Sequence, residues 1–358
     1  MGNNQFPDSE SLDIPEGMIL EVPLDELDDD KAYERPAYTL DEAIAALEGI
    51  KGTAKTISAA ILYGLSGISR SDIPRIEAAW RALDAEQRNG IIQYMNTASE
   101  ADFEMDYRAF GLFALTDPEP SVRIAAIELL WEETSPEYID HLMHLAQFDE
   151  EHSVRAEAIK ALGSIIYQGE LDEIPQETTR PIQELVFNLH TNLDEDLLVR
   201  RRALESLANC SHDAVPDLIR EAYHSSEAEM RISAIFAMGR TCDDEAWEEP
   251  ILRELDSNDD EMRYEAARAA GELGLNAAIP ALGRLVLEPD RDLQEIAIWA
   301  LGEIGGNEAV RILSHIAEIA DEHNDEELAQ SVEDALGIAS LSFGEFFAFN
   351  LDDEWDDD

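Results

Sequence analysis

Asp149-Glu150-Glu151-His152-Ser153-Val154-Arg155-Ala156-Glu157-Ala158-Ile159-Lys160-Ala161-Leu162-Gly163 decides the fold. An acidic turn opens a helix. An apolar residue then recurs every four positions, with arginine after the first, a small residue at the second and glycine after the third. That spacing puts Val154, Ala158 and Leu162 on one helical stripe.

The same signature returns along the chain. Its first apolar residue falls at Val122, Val154, Val199, Met230, Met262, Leu293 and Leu328, with intervals of 32, 45, 31, 32, 31 and 35 residues. Four of the six intervals are close to 32, the length of two helices with two tight turns. A repeat of that period marks stacked supersecondary units, none of which can bury its apolar face alone. The long interval holds an insertion at 167–181, YQGELDEIPQETTRP, which reads as a loop on one face. Four positions on come Ala126, Ala158, Ala203, Ala234, Ala266, Ala297 and Val332, small or β-branched residues that let neighbouring helices approach. The turns before the second helices carry Asp117, Asp149, Asp194, Asp259 and Asp290, which are expected to cap them.

The pattern D-x-x-x-x-V-R-x-x-A-x-x-A-L-G resembles the HEAT-repeat family, in particular the HEAT-like repeats of bilin-attaching (PBS) lyase subunits. The resemblance covers roughly residues 100–340, with a weaker echo from 39. It implies an all-α fold, an α-solenoid of stacked antiparallel helix pairs with acidic N- and C-terminal tails. It also implies that Arg123, Arg155, Arg200, Arg231 and Arg263 pair with the acidic turns and tie each repeat to the next. The ladder ends at Gln294 and Ala329, so the last repeats are expected to be held differently. Within the family the di-iron hydroxylases need repeated His-Glu dipeptides, and this sequence has none.

Four segments follow. Residues 1–37, with four prolines and the run Asp28-Asp29-Asp30, read as a disordered or extended acidic tail in which 14–20 and 22–27 could dock as arms. Residues 38–100 read as degenerate helical repeats that cap the stack. There Thr39 and Glu42 have the spacing of a capping box, and helices are expected near 54–65, 73–83 and 87–96. Residues 101–340 carry the clear repeats. Residues 341–358 combine Phe343, Phe346, Phe347, Phe349 and Trp355 with acids, and read either as a final helix or as a docking tail.

Acids outnumber bases 80 to 25, a net charge of −55, and only Lys31, Lys51, Lys55 and Lys160 are lysines. Such a surface repels phosphate backbones and anionic membranes, and attracts a basic or mixed protein partner. No segment approaches a transmembrane stretch, and the N-terminus lacks the pattern of a secretory leader. Cys210 and Cys242 lie one repeat apart, farther than a disulfide spans, and read as reduced core thiols of a cytoplasmic protein. No catalytic set, metal site or cofactor is expected. His141 and His144 share a helix face but make only a pair, and no Cys-x-x-Cys, phosphate loop or nucleophile elbow occurs.

The candidate site is instead a surface. Positions two and six after the aligned residue lie at about 200° and 240° on a helical wheel, opposite the core stripe. They bring Ile232, Phe236, Tyr264, Arg268 and Trp299 together, flanked by Arg201, where solvent is expected. Aromatics beside arginine have the composition of a binding hot spot. The function read from the sequence is a non-catalytic protein-binding scaffold or adaptor. The alternatives are a subunit of a bilin-lyase-like enzyme, or an acidic chaperone or decoy for basic proteins.

Overall fold

In the computed structural model, residues 19–20, 38–50, 56–241 and 243–351 are described, with side chains for 38–50, 57–241 and 243–340. They form two compact units, 1–161 and 162–358. Regular structure among them is helical, except for a two-residue parallel pairing of β1 (Ile19–Leu20) with β2 (Thr56–Ile57). The remainder of 1–37, residues 51–55, Cys242 and 352–358 lie outside the described residues, and so do the expectations placed on them.

The first unit holds α1 (Leu40–Gly49), α2 (Ala59–Leu65), α3 (Ile73–Trp80), α4 (Ala85–Ala101), α5 (Arg108–Ala114), α6 (Pro120–Leu129) and α7 (Pro136–Phe148). The capping box at α1 is present: Thr39 Oγ1 accepts from Glu42 N at 3.3 Å, and Thr39 N donates to Glu42 Oε2 at 2.8 Å. Asp84 and Gln87 repeat it at α4. Proline stands in the first turn of α3, α6 and α7, where its missing N–H costs no bond. The division between units falls inside α8 (His152–Glu170).

The second unit continues with α9 (Gln176–Thr191), α10 (Leu197–Leu207), α11 (Val215–Tyr223), α12 (Ala228–Arg240), α13 (Asp244–Glu254), α14 (Asp260–Glu272), α15 (Ile279–Leu285), α16 (Arg291–Ile304), α17 (Gly306–His323) and α18 (Glu326–Leu351). Each even-numbered helix from α10 packs on its odd-numbered predecessor and on the next even-numbered helix, as the repeat spacing predicts. The insertion is not the loop expected of it. Its residues lengthen α8 and α9, leaving a turn at 171–175. The backbone of α18 also runs into the C-terminal segment, as far as Leu351.

The stripe read from the sequence is the core. Ala126, Ala158, Ala203, Ala234, Ala266, Ala297 and Val332 are completely buried. The reason for small residues near the helix ends is close contact. A methyl at Gly239, Gly271 or Gly302 would come within about 3 Å of the Cα of Ala269, Ala300 or Ala335 on the next helix. Backbone on the far side of that contact cannot move aside cheaply.

The arginine ladder makes two kinds of bond, and Arg123 makes both, its Nη1 also reaching Asp117 O at 2.8 Å. Arg123 reaches the next turn, forking onto Asp149 at 2.7 and 2.8 Å, and Arg263 reaches Glu288 at 2.9 Å. Arg155 and Arg231 bond backbone carbonyls of the turn before their own helix, those of Asp149 and Ser225, and Arg200 bonds that of His190 in the last turn of α9. Where the ladder ends, Gln294 makes the same kind of bond, to Val286 O at 2.8 Å. Asp194 does not cap α10; Asp196 does, two residues later. Cys210 is a buried free thiol whose pKa burial raises to about 11.

Candidate partner-binding face

The sequence-derived site lies wholly in the second unit, on four helices that pack side by side, α10, α12, α14 and α16. Arg201 comes from α10, Ile232 and Phe236 from α12, Tyr264 and Arg268 from α14, and Trp299 from α16. The repeat spacing makes equivalent positions of successive helices adjacent, so the grouping follows directly from the register.

Their exposure corrects the sequence expectation. Ile232 and Arg268 are buried, at 4% and 8% relative exposure, and Arg201, Phe236, Tyr264 and Trp299 are half-buried. A wheel drawn for one helix treats this side as facing solvent. The neighbouring helices close over it, because small residues at their contacts hold them near one another. The result is a seam of interlocked side chains rather than a row of free aromatics.

Two polar networks hold the seam. At one end, Arg201 Nε donates to Ser233 Oγ at 2.9 Å, and Ser233 Oγ donates to Glu205 Oε1 at 2.6 Å. Arg202 pairs with the same carboxylate, which is buried. This chain of bonds joins α10 to α12 without leaving the Glu205 charge uncompensated.

At the other end the organising group is Phe236. The guanidinium of Arg268 lies 3.9 Å from its ring centre and that of Arg240 lies 5.5 Å away. Glu272 Oε1 is 3.4 Å from the Nε of each arginine. Burial pushes the pKa of Arg240 down, with Glu272 opposing the shift. One carboxylate and one aromatic ring therefore serve two cations, which orients the ring and limits its rotamers. Trp299 packs over Gly271, where an added methyl would stand 2.8 Å from the indole Cζ3.

Sequence reasoning missed the five most exposed large apolar residues: Phe103 (92%), Trp131 (62%) and Phe148 (62%) in the first unit, and Leu193 (77%) and Leu287 (63%) in the second. All five lie at helix ends or in the adjoining turns, outside the reach of a helical wheel. The available signal was position: Phe148 and Leu193 directly precede the acidic residues Asp149 and Asp194.

Residues 110–176 and 248–337 match the family model for HEAT repeats. No curated protein matches the sequence. Among solved structures, the chain is similar to the complex of CpcE and CpcF of phycocyanin lyase from Nostoc sp. PCC7120, at 16% identity over 84% of this chain and 97% of that one, with a TM-score of 0.47. It is also similar to the karyopherin Kap121p bound to the extreme C-terminus of the protein phosphatase Cdc14p, at 12% identity, 84% and 38% coverage, and a TM-score of 0.44. A third is human deoxyhypusine hydroxylase, at 16% identity, 84% and 96% coverage, and a TM-score of 0.32.

Proposed function

Residues 110–176 and 248–337 carry HEAT repeats, and from that premise we propose that the chain is a non-catalytic scaffold or adaptor that holds a protein partner on the α10–α16 seam. One observation carries the reading. Phe236, Tyr264 and Trp299 stand half-buried on three successive helices, with Arg268 locked against Phe236. Trp, Tyr and Arg are the residue types that dominate interface energetics. Side chains already fixed by their neighbours lose little further freedom on binding. The net charge of −55 selects a basic or mixed partner and speeds encounter at low salt. A buried, reduced Cys210 fits a cytoplasmic protein.

The bilin-lyase-like alternative calls for an enclosed chromophore site. Among the described residues, cavities of about 400 and 310 Å³ lie at 118–151 and 283–316, and no seam residue lines either. That placement favours contact across a face over enclosure of a small molecule on the seam.

The test is affinity capture with the wild-type chain and with Tyr264→Ala/Trp299→Ala, at low and high salt. Loss of the salt-sensitive partners from the variant, with its unfolding temperature preserved, supports the reading. An identical captured set removes the seam as the site.

A further inference from the structure

We propose that the cleft between the end of α7 and the acidic turn into α8 receives an arginine side chain from a basic peptide segment of the partner. The inference rests on the reading that the chain binds protein, but it concerns a different place, in the first unit.

The cleft has a volume of about 400 Å³ and is lined by Pro118, Pro120 and Arg123 on one side and by His144, Leu145, Phe148 and the turn Asp149–Glu151 on the other. The cleft is roomy enough to admit a long side chain from a partner. Its most exposed wall is aromatic: Phe148 is 62% exposed, and its ring centre lies 5.1 Å from that of His144. The ring therefore offers an open aromatic face to whatever enters the cleft.

Charge selects the occupant. The arginine in the wall is already engaged: Arg123 Nε and Nη2 bond Asp149 at 2.8 and 2.7 Å, and Nη1 bonds Asp117 O at 2.8 Å. Asp149 is thereby neutralised. The adjoining carboxylates of Glu150 and Glu151 are exposed. An aromatic face next to two open carboxylates is unfavourable for an anion and poorly matched to an aliphatic chain. A guanidinium satisfies both parts, because its plane stacks on a ring while its N–H fork meets carboxylate oxygens.

The test measures fluorescence anisotropy of a labelled (Arg-Gly-Gly)4 peptide, and of its citrulline counterpart, with the full chain. Phe148→Ala leaves every charge in place and is expected to weaken arginine-peptide binding about fivefold, the scale of a cation–π contact. Glu150→Gln/Glu151→Gln is expected to weaken it about tenfold. Glu245→Gln/Glu248→Gln, which removes the same charge from the exposed face of α13, should change it less than about twofold. The citrulline peptide should not bind. Phe148→Ala equal to wild type, two equally damaging glutamate pairs, or binding of the citrulline peptide would each overturn the proposal. Tyr264→Ala/Trp299→Ala is expected to bind the peptide normally, so failure of the seam and failure of the cleft are read separately.

Discussion

The guanidinium carbon of Arg268 lies 3.9 Å from the centre of the Phe236 ring, although the two residues belong to successive repeats, α14 and α12. This contact converts two positions that a single helix would leave in water into the fixed centre of the seam. Arg268 is 8% exposed, and its guanidinium is faced by the ring and by Glu272. A double-mutant cycle of Phe236→Leu with Arg268→Lys should give a coupling of about 0.5–2 kcal/mol in unfolding free energy. Strict additivity would mean that the stack contributes nothing.

Gly271 and Gly337 occupy the same place in their repeats and should answer differently to alanine. At Gly271 the new methyl would lie 2.9 Å from the Cα of Ala300, and the packed backbone must shift. A cost of about 1–3 kcal/mol is expected, the range for overpacking. At Gly337 the methyl meets nothing within 4 Å, and the helix should gain up to about 1 kcal/mol. Thermal unfolding of the two variants checks the opposite signs.

The Arg123–Asp149 pair ties α6 to the turn before α8, with side chains only 12% and 6% exposed. Removing one partner, as in Asp149→Asn, should destabilise the first unit by about 3–5 kcal/mol, because the guanidinium stays buried without its counter-charge. Arg123→Met/Asp149→Leu should recover much of that loss. Chemical denaturation that finds the double variant weaker than either single variant would contradict this.

Spacing alone made the repeats legible. Val154, Ala158 and Leu162 are buried as the helical period requires, and Thr39 with Glu42 forms the box that its residue types encode. What spacing could not supply is the effect of neighbours. Ile232 and Arg268 lie opposite the stripe of their own helices, yet they are buried because adjacent repeats approach closely there. Local choices between near-equivalent residues were also beyond it, as when Asp196 rather than Asp194 caps α10. The exposed Phe148 was invisible for a related reason: periodicity carries no information at the last residue of a helix.

Stability should peak in mildly acidic solution. Several carboxyls are held below their usual range by hydrogen bonds: Glu42 by the Thr39 backbone, Asp106 by Arg108, and Asp325 by the Leu328 backbone. A carboxyl whose folded pKa is lowered stabilises the fold above its unfolded value, about 4, and that contribution is lost as pH falls through the folded value. Against this, protonating ordinary acids relieves the repulsion of a chain with a net charge of −55. The unfolding temperature should therefore rise from pH 7 to about pH 5 and fall below about pH 4, and salt should raise it at pH 7. A steady fall from pH 7 downward would show that self-repulsion is unimportant.

Hydrogen–deuterium exchange with and without a captured protein partner tests the central claim most directly. The account predicts slowed exchange in peptides covering α12, α14 and α16, with Tyr264→Ala/Trp299→Ala abolishing it. Protection confined to other helices, or unchanged in that variant, would contradict it.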